Sequence, residues 1–99
     1  YANAVKAYFQ GDYDAAVPGL ESAGDTIEND PEIPAMLGAA LYKKYILTRS
    51  TDEALKDQAG EAFRSALAIR PGFTLDPKFY PPKVIAFFRQ VAAGAAPGS

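Results

Sequence analysis

Residues 52–71 constrain this chain more than any other stretch. They read Asp-Glu-Ala-Leu-Lys-Asp-Gln-Ala-Gly-Glu-Ala-Phe-Arg-Ser-Ala-Leu-Ala-Ile-Arg-Pro. Leu55, Ala59, Ala62, Phe63, Ala66 and Ile69 recur at steps of four, three, one, three and three. That spacing makes one stripe of a helix and not the alternation of a strand. Small and large side chains alternate along it, so a neighbouring helix can approach at the alanines while Phe63 fills the gap beside it. Ser50 and Glu53 stand three apart at the start, the spacing of a capping box, and Pro71 stops the helix. A stripe of this kind needs other helices to cover it, and the fold class expected is all-α.

Composition agrees. The chain has 99 residues, 48% of them hydrophobic and 22% charged, which fits one soluble domain with a single modest core. Much of the hydrophobic content is alanine, which favours close-packed helices over a bulky β core. A net charge of −2 gives no reason to expect nucleic acid or an anionic membrane as partner. The charge is unevenly spread. Residues 1–41 hold seven acidic groups and one basic, a balance of −6, and residues 42–99 hold five acidic and nine basic, a balance of +4. Such asymmetry can orient a partner or a second copy, or be two solvated faces. No apolar run approaches the ~20 residues of a membrane span. The first residues, Tyr-Ala-Asn-Ala-Val-Lys, read as an excised fragment with any targeting segment outside it.

In chain order, Val5, Tyr8 and Phe9 mark a first helix over residues 1–10. Gly11 is placed to end it and Asp12 to cap a second helix carrying Tyr13, Ala16, Val17, Leu20 and Ala23. Pro18 falls inside that second helix and is expected to kink it or delay its start. Gly24 weakens its end, and an acidic loop with Pro31 and Pro34 follows. A third helix is expected from Pro34 to Thr48, with Leu37, Gly38, Leu41 and Tyr45 inward. The fourth is expected to start at Thr51. After Pro71, the residues Phe73, Leu75, Phe79 and Tyr80 are too apolar to dangle, and the loop carrying them should fold back over the helices. A final helix, Lys83–Ala93, presents Val84, Phe87, Phe88 and Val91. Residues 94–99 read as a linker tail.

These residues resemble the tetratricopeptide repeat (TPR) family. Ala59, Phe63, Ala66-Leu67 and Pro71 fall on the offsets of the family's second helix. Gly11, Tyr13 and Ala16, followed by Leu20 and Ala23, are similar to its helix–turn–helix. Leu37-Gly38 resembles its Leu-Gly pair. Gly38 and Ala59 lie 21 residues apart where the family has about 12, so a longer, protruding hairpin is expected between them. The run from Phe63 to Val91 looks like the C-terminal part of TPR-like modules in bacterial envelope proteins. The resemblance implies a right-handed array of antiparallel hairpins, about five helices over residues 1–93, with the last helix as a cap. It also implies a periplasmic or envelope setting over a cytoplasmic one.

Enzyme chemistry is not expected. There is no histidine and no cysteine, which removes the commonest base, metal ligands and thiolate nucleophile. Asp12 with Asp14, and Asp52 with Glu53, sit at helix starts, where acids favour the helix dipole. No phosphate-loop, dinucleotide or metal-loop spacing occurs, and no cofactor or metal is expected. The TPR resemblance instead implies binding of a protein or peptide. It carries groove positions onto Val5, Tyr8 and Phe9 in the first pair and Met36, Ala39, Tyr42 and Lys43 in the second. In one reading Tyr8 and Tyr42 contact an extended or helical peptide and Lys43 meets its carboxylate. In the other, Phe87 and Phe88 of the cap already fill the groove. A spacer or homo-dimerising module in a larger bacterial envelope protein is the alternative function. Groove binding predicts that Tyr42→Ala with Lys43→Glu keeps the helical circular-dichroism signal while abolishing partner capture in a pull-down.

Overall fold

The computed structural model describes residues 1–49 and 51–94. Among them the order is α1 (Ala2–Phe9), α2 (Tyr13–Thr26), α3 (Glu32–Leu47), α4 (Glu53–Ile69) and α5 (Pro82–Gly94), with no strand. The all-α expectation holds.

The first turn follows from its chemistry. Gly11 adopts φ +81°, a conformation costly for residues with a Cβ. This lets its N–H donate to Tyr8 O and the Asp12 N–H to Ala7 O, the paired bonds that close a Schellman motif. Asp12 then caps α2 by accepting from the Ala15 N–H at 3.3 Å. One dipeptide therefore ends one helix and starts the next.

The first three consecutive pairs of helices run antiparallel. Ala4 lies against Gly19 and Tyr8 against Tyr13 across α1 and α2. Gly24 faces Ile33, while Asp14 pairs with Lys44 at 3.0 Å, across α2 and α3. Gly38 meets Phe63 and Ala59, and Tyr45 lies near Lys56, across α3 and α4. The Asp14–Lys44 pair is largely exposed and contributes ~0–1 kcal/mol.

The centre of the molecule is α3, not the α4 stripe. α3 touches all four other helices. Ile33, Ala35, Met36, Ala39, Ala40, Leu41 and Tyr45 are buried around its whole circumference. A helix covered on every side shows no stripe in its sequence. The chain closes into a globule with a radius of gyration of 12.4 Å, close to the ~13 Å of a compact domain this size.

Several boundaries differ from expectation, each for a physical reason. α2 starts at Tyr13 and runs through Pro18 to Thr26 without interruption, because Pro18 is exposed and the carbonyl it leaves unbonded can be hydrated. α3 begins at Glu32, with Pro31 at its N-cap. Pro34 thus falls in the first turn, where the N–H it lacks would have no helical partner. α4 starts at Glu53, and Asp52 caps it by accepting from the Ala54 N–H at 3.2 Å. Ser50, expected in that role, lies outside the described residues, as do residues 95–99 of the tail. α3 and α4 are the longest helices, with 16 and 17 residues. Leu47, 71% exposed, extends about one turn past the Asp14–Lys44 contact.

The segment 70–81 does fold back. Phe73, Leu75 and Tyr80 are buried, whereas Phe79 is 57% exposed. Asp76 organises its turn, accepting from the Lys78 N–H at 2.8 Å through Oδ1 and from the Phe79 and Tyr80 N–H groups through its carbonyl.

Two glycines give opposite predictions. A Cβ on Gly38 would come within 2.7 Å of two ring carbons of the fully buried Phe63 and 3.1 Å of Ala59 O. Gly38→Ala is therefore expected to destabilise by about 1–3 kcal/mol despite its better helix propensity. A Cβ on Gly60 meets nothing nearer than 3.7 Å, so Gly60→Ala is expected to stabilise by about 0.5–1 kcal/mol. Urea titrations of both variants check the two signs.

Candidate functional site

The seven groove positions separate into three environments. Val5 is half-buried and packs on the core, while Ala39 is fully buried inside it. Tyr8 is buried too, its ring centroid 5.2 Å from Phe9, 5.7 Å from Tyr13 and 6.0 Å from Tyr80. Tyr42 is half-buried under α5, stacked on Phe87 at 4.3 Å with an interplanar angle of 10°. Lys43, next to it, is half-buried and in no ion pair among the described residues. That leaves Phe9 and Met36, which line an open cleft.

The closure at Tyr42 follows from the phenylalanines of α5. Val84, Phe87, Phe88 and Val91 share one face of that helix and are buried. Phe63 of α4 meets Phe88 edge-on at 5.2 Å and Phe87 at 5.9 Å. The same ring that packs on Gly38 thus holds the cover helix, and Phe87 bridges from Phe63 to Tyr42. Truncating Tyr42 consequently removes a stacked aromatic pair as well as any outward contact. The double substitution at Tyr42 and Lys43 therefore has a stability cost that the sequence does not reveal.

The cleft has a volume of about 310 Å³ and is lined by Phe9, Glu32, Met36, Thr74, Asp76, Phe79 and Tyr80. Three parts of the fold build it: the end of α1, the first two turns of α3 and the loop before α5. Glu32 and Met36 are four apart and share a helix face. Phe9 is 54% exposed and meets the equally open Phe79 at 6.3 Å between ring centroids. Burial, and next the neighbouring Asp30, push the Glu32 carboxyl above its usual range, with Arg70 opposing and Asp76 reinforcing the shift. Burial also pushes the Tyr8 and Tyr80 phenols up, helped by Tyr13 at Tyr8 and by Glu32 at Tyr80.

A larger cavity, about 470 Å³, lies between α4 and α5. Lys56, Asp57, Glu61 and Arg64 line much of it. They are surface charges of both signs along one helix, and none of the seven groove positions reaches it. Among the described residues no group of three or more acidic side chains is placed to hold a metal ion, and no helix is long and apolar enough to cross a membrane.

Phe79, Tyr80, Glu32, Thr74 and Asp76 were not among the expected site residues. The signal for the exposed pair lies in two adjacent aromatic couples. Successive helical residues diverge by about 100°, and in α1 Tyr8 turns inward while Phe9 leaves the core. In the loop, Tyr80 is buried while Phe79 faces out.

With this geometry in hand, comparison with known proteins adds no relative: no family model, curated protein or solved structure matches the chain.

The buried phenols make a pH prediction. Their folded-state pKa values lie above the unfolded value of about 10, so the stability they contribute is present below pH ~10 and is lost as pH rises beyond it. Wild-type protein is expected to lose stability between pH 9 and pH 11, and Tyr80→Phe to lose measurably less. Denaturant midpoints at the two pH values check this.

Proposed function

We propose that this domain is a TPR-like protein-interaction module, a right-handed array of two helix pairs and a cover helix, that binds a peptide or protein segment. The antiparallel order of the helices, the Gly11–Asp12 turn and the interlocking of Gly38, Ala59 and Phe63 support the fold part of this reading. The function rests on one observation. Phe9 and Phe79 face each other in the open above Met36, while α5 covers Tyr42 on the same helix. Exposed aromatic pairs over an apolar floor suit the anchor residues of a partner. The binding surface is accordingly the Phe9–Met36–Phe79 cleft and not the Tyr42–Lys43 face. In this role the domain serves as a scaffold or adaptor within a larger bacterial protein.

Self-association is the second reading, favoured by the exposure of the same two rings together with Tyr1 and by the opposite charge balance of the two halves of the chain.

Phe9→Ser combined with Phe79→Ser is expected to cost about 1–3 kcal/mol and leave the domain folded, since both rings are more than half exposed. It should abolish capture of peptide or protein ligands that the wild type retains. Sedimentation of both proteins separates the readings. A wild type that stays monomeric supports partner binding, and a dimer that the double variant disrupts supports self-association.

A further inference from the structure

The lining of the cleft selects the chemistry of its occupant. Four residues, Phe9, Met36, Phe79 and Tyr80, give it apolar walls. Its two charged side chains, Glu32 and Asp76, are both acidic. Asp30, outside the lining, adds a third carboxylate next to Glu32, its Oδ1 accepting from the Glu32 N–H at 3.0 Å. None of the three is in an ion pair among the described residues, where the one such pair is Asp14–Lys44. The surrounding part of the chain is acidic as well, residues 1–41 carrying a balance of −6.

Building on the reading of this cleft as the binding surface, we infer that it takes an arginine side chain of an extended peptide. The guanidinium pairs with the carboxylates of Glu32 and Asp76, and its plane lies against the exposed rings of Phe9 and Phe79. Size sets the scale of the occupant. About 310 Å³ is at the small end of ligand sites, which run from roughly 300 to 1,000 Å³. That space holds one long side chain with an apolar neighbour and not a folded surface. Charge sets its sign, because a neutral or acidic side chain would desolvate carboxylates without pairing them. The aromatic walls favour arginine over lysine. A guanidinium is flat and weakly hydrated, stacks on rings and presents several donors to carboxylates, whereas an ammonium is a compact, strongly hydrated point charge. Asp30 and Asp76 both repel the Glu32 carboxylate, with Arg70 only partly opposing them, and a cation entering the cleft relieves that repulsion.

The test is selection of a random twelve-residue displayed-peptide library on the folded domain. Enriched sequences are then resynthesised with arginine or with its neutral isostere citrulline. The inference expects arginine in the enriched peptides and about tenfold or greater weakening on citrulline replacement. It expects similar weakening with Glu32→Gln plus Asp76→Asn, the asparagine retaining an oxygen to accept from the Lys78 N–H. Circular dichroism confirms that this variant is folded. Enriched peptides that lack basic residues, yet lose binding with Phe79→Ser, overturn the arginine assignment while leaving the cleft as a binding surface. No enriched peptide that depends on Phe79 overturns both. Self-association that Phe79→Ser removes overturns the arginine assignment in favour of a second copy of the chain.

Discussion

The contact between Phe63 and Gly38 governs the architecture. Phe63 is fully buried, and only a residue without a Cβ lets α3 come close enough to the ring and to the Ala59 carbonyl beside it. The other edges of the same ring receive Phe87 and Phe88. One side chain thus sets the spacing of the central helix pair and also anchors the cover. A smaller close approach of the same kind joins α2 to α1. That helix has eight residues and is held by Ala4 against Gly19 and by the buried ring of Tyr8 between Tyr13 and Tyr80.

Much of this packing was legible in the residues because local chemistry and tertiary packing agree there. The α4 stripe, the Gly11–Asp12 turn and the inward set Val84, Phe87, Phe88 and Val91 each follow from a period or a turn requirement. The central role of α3 was harder to see. Apolar residues all around a helix carry no directional signal, so burial on every side looks the same as an ambiguous pattern. Pro18 did not delay the start of α2 and Pro34 did not open α3, for a related reason. A proline's cost depends on whether its missing N–H would have had a partner and on whether the orphaned carbonyl meets water.

The candidate site was only partly readable. Phe9 and Met36 came from the expected groove, and Glu32 lies one turn before Met36 on the same face of α3, but Phe79 and Asp76 reach the cleft through the folding of the 70–81 loop, which no periodicity encodes. Tyr42 shows the converse. Its position on α3 suits a groove, and what decides its fate is a ring 45 residues further along the chain. Aromatic residues at groove spacing therefore identify a surface. They do not say whether that surface is vacant.

The stacking of Phe87 on Tyr42 makes α5 a ligand in cis. It hangs from α4 by the short segment 70–81, and tethers of that kind hold a group at roughly millimolar local concentration or above. Any free helix offering the same two or three rings is outcompeted at the micromolar concentrations usual for proteins. The Tyr42 side of the molecule is thus reserved by covalent attachment, and on the proposed reading recognition falls to the corner that the tether leaves bare.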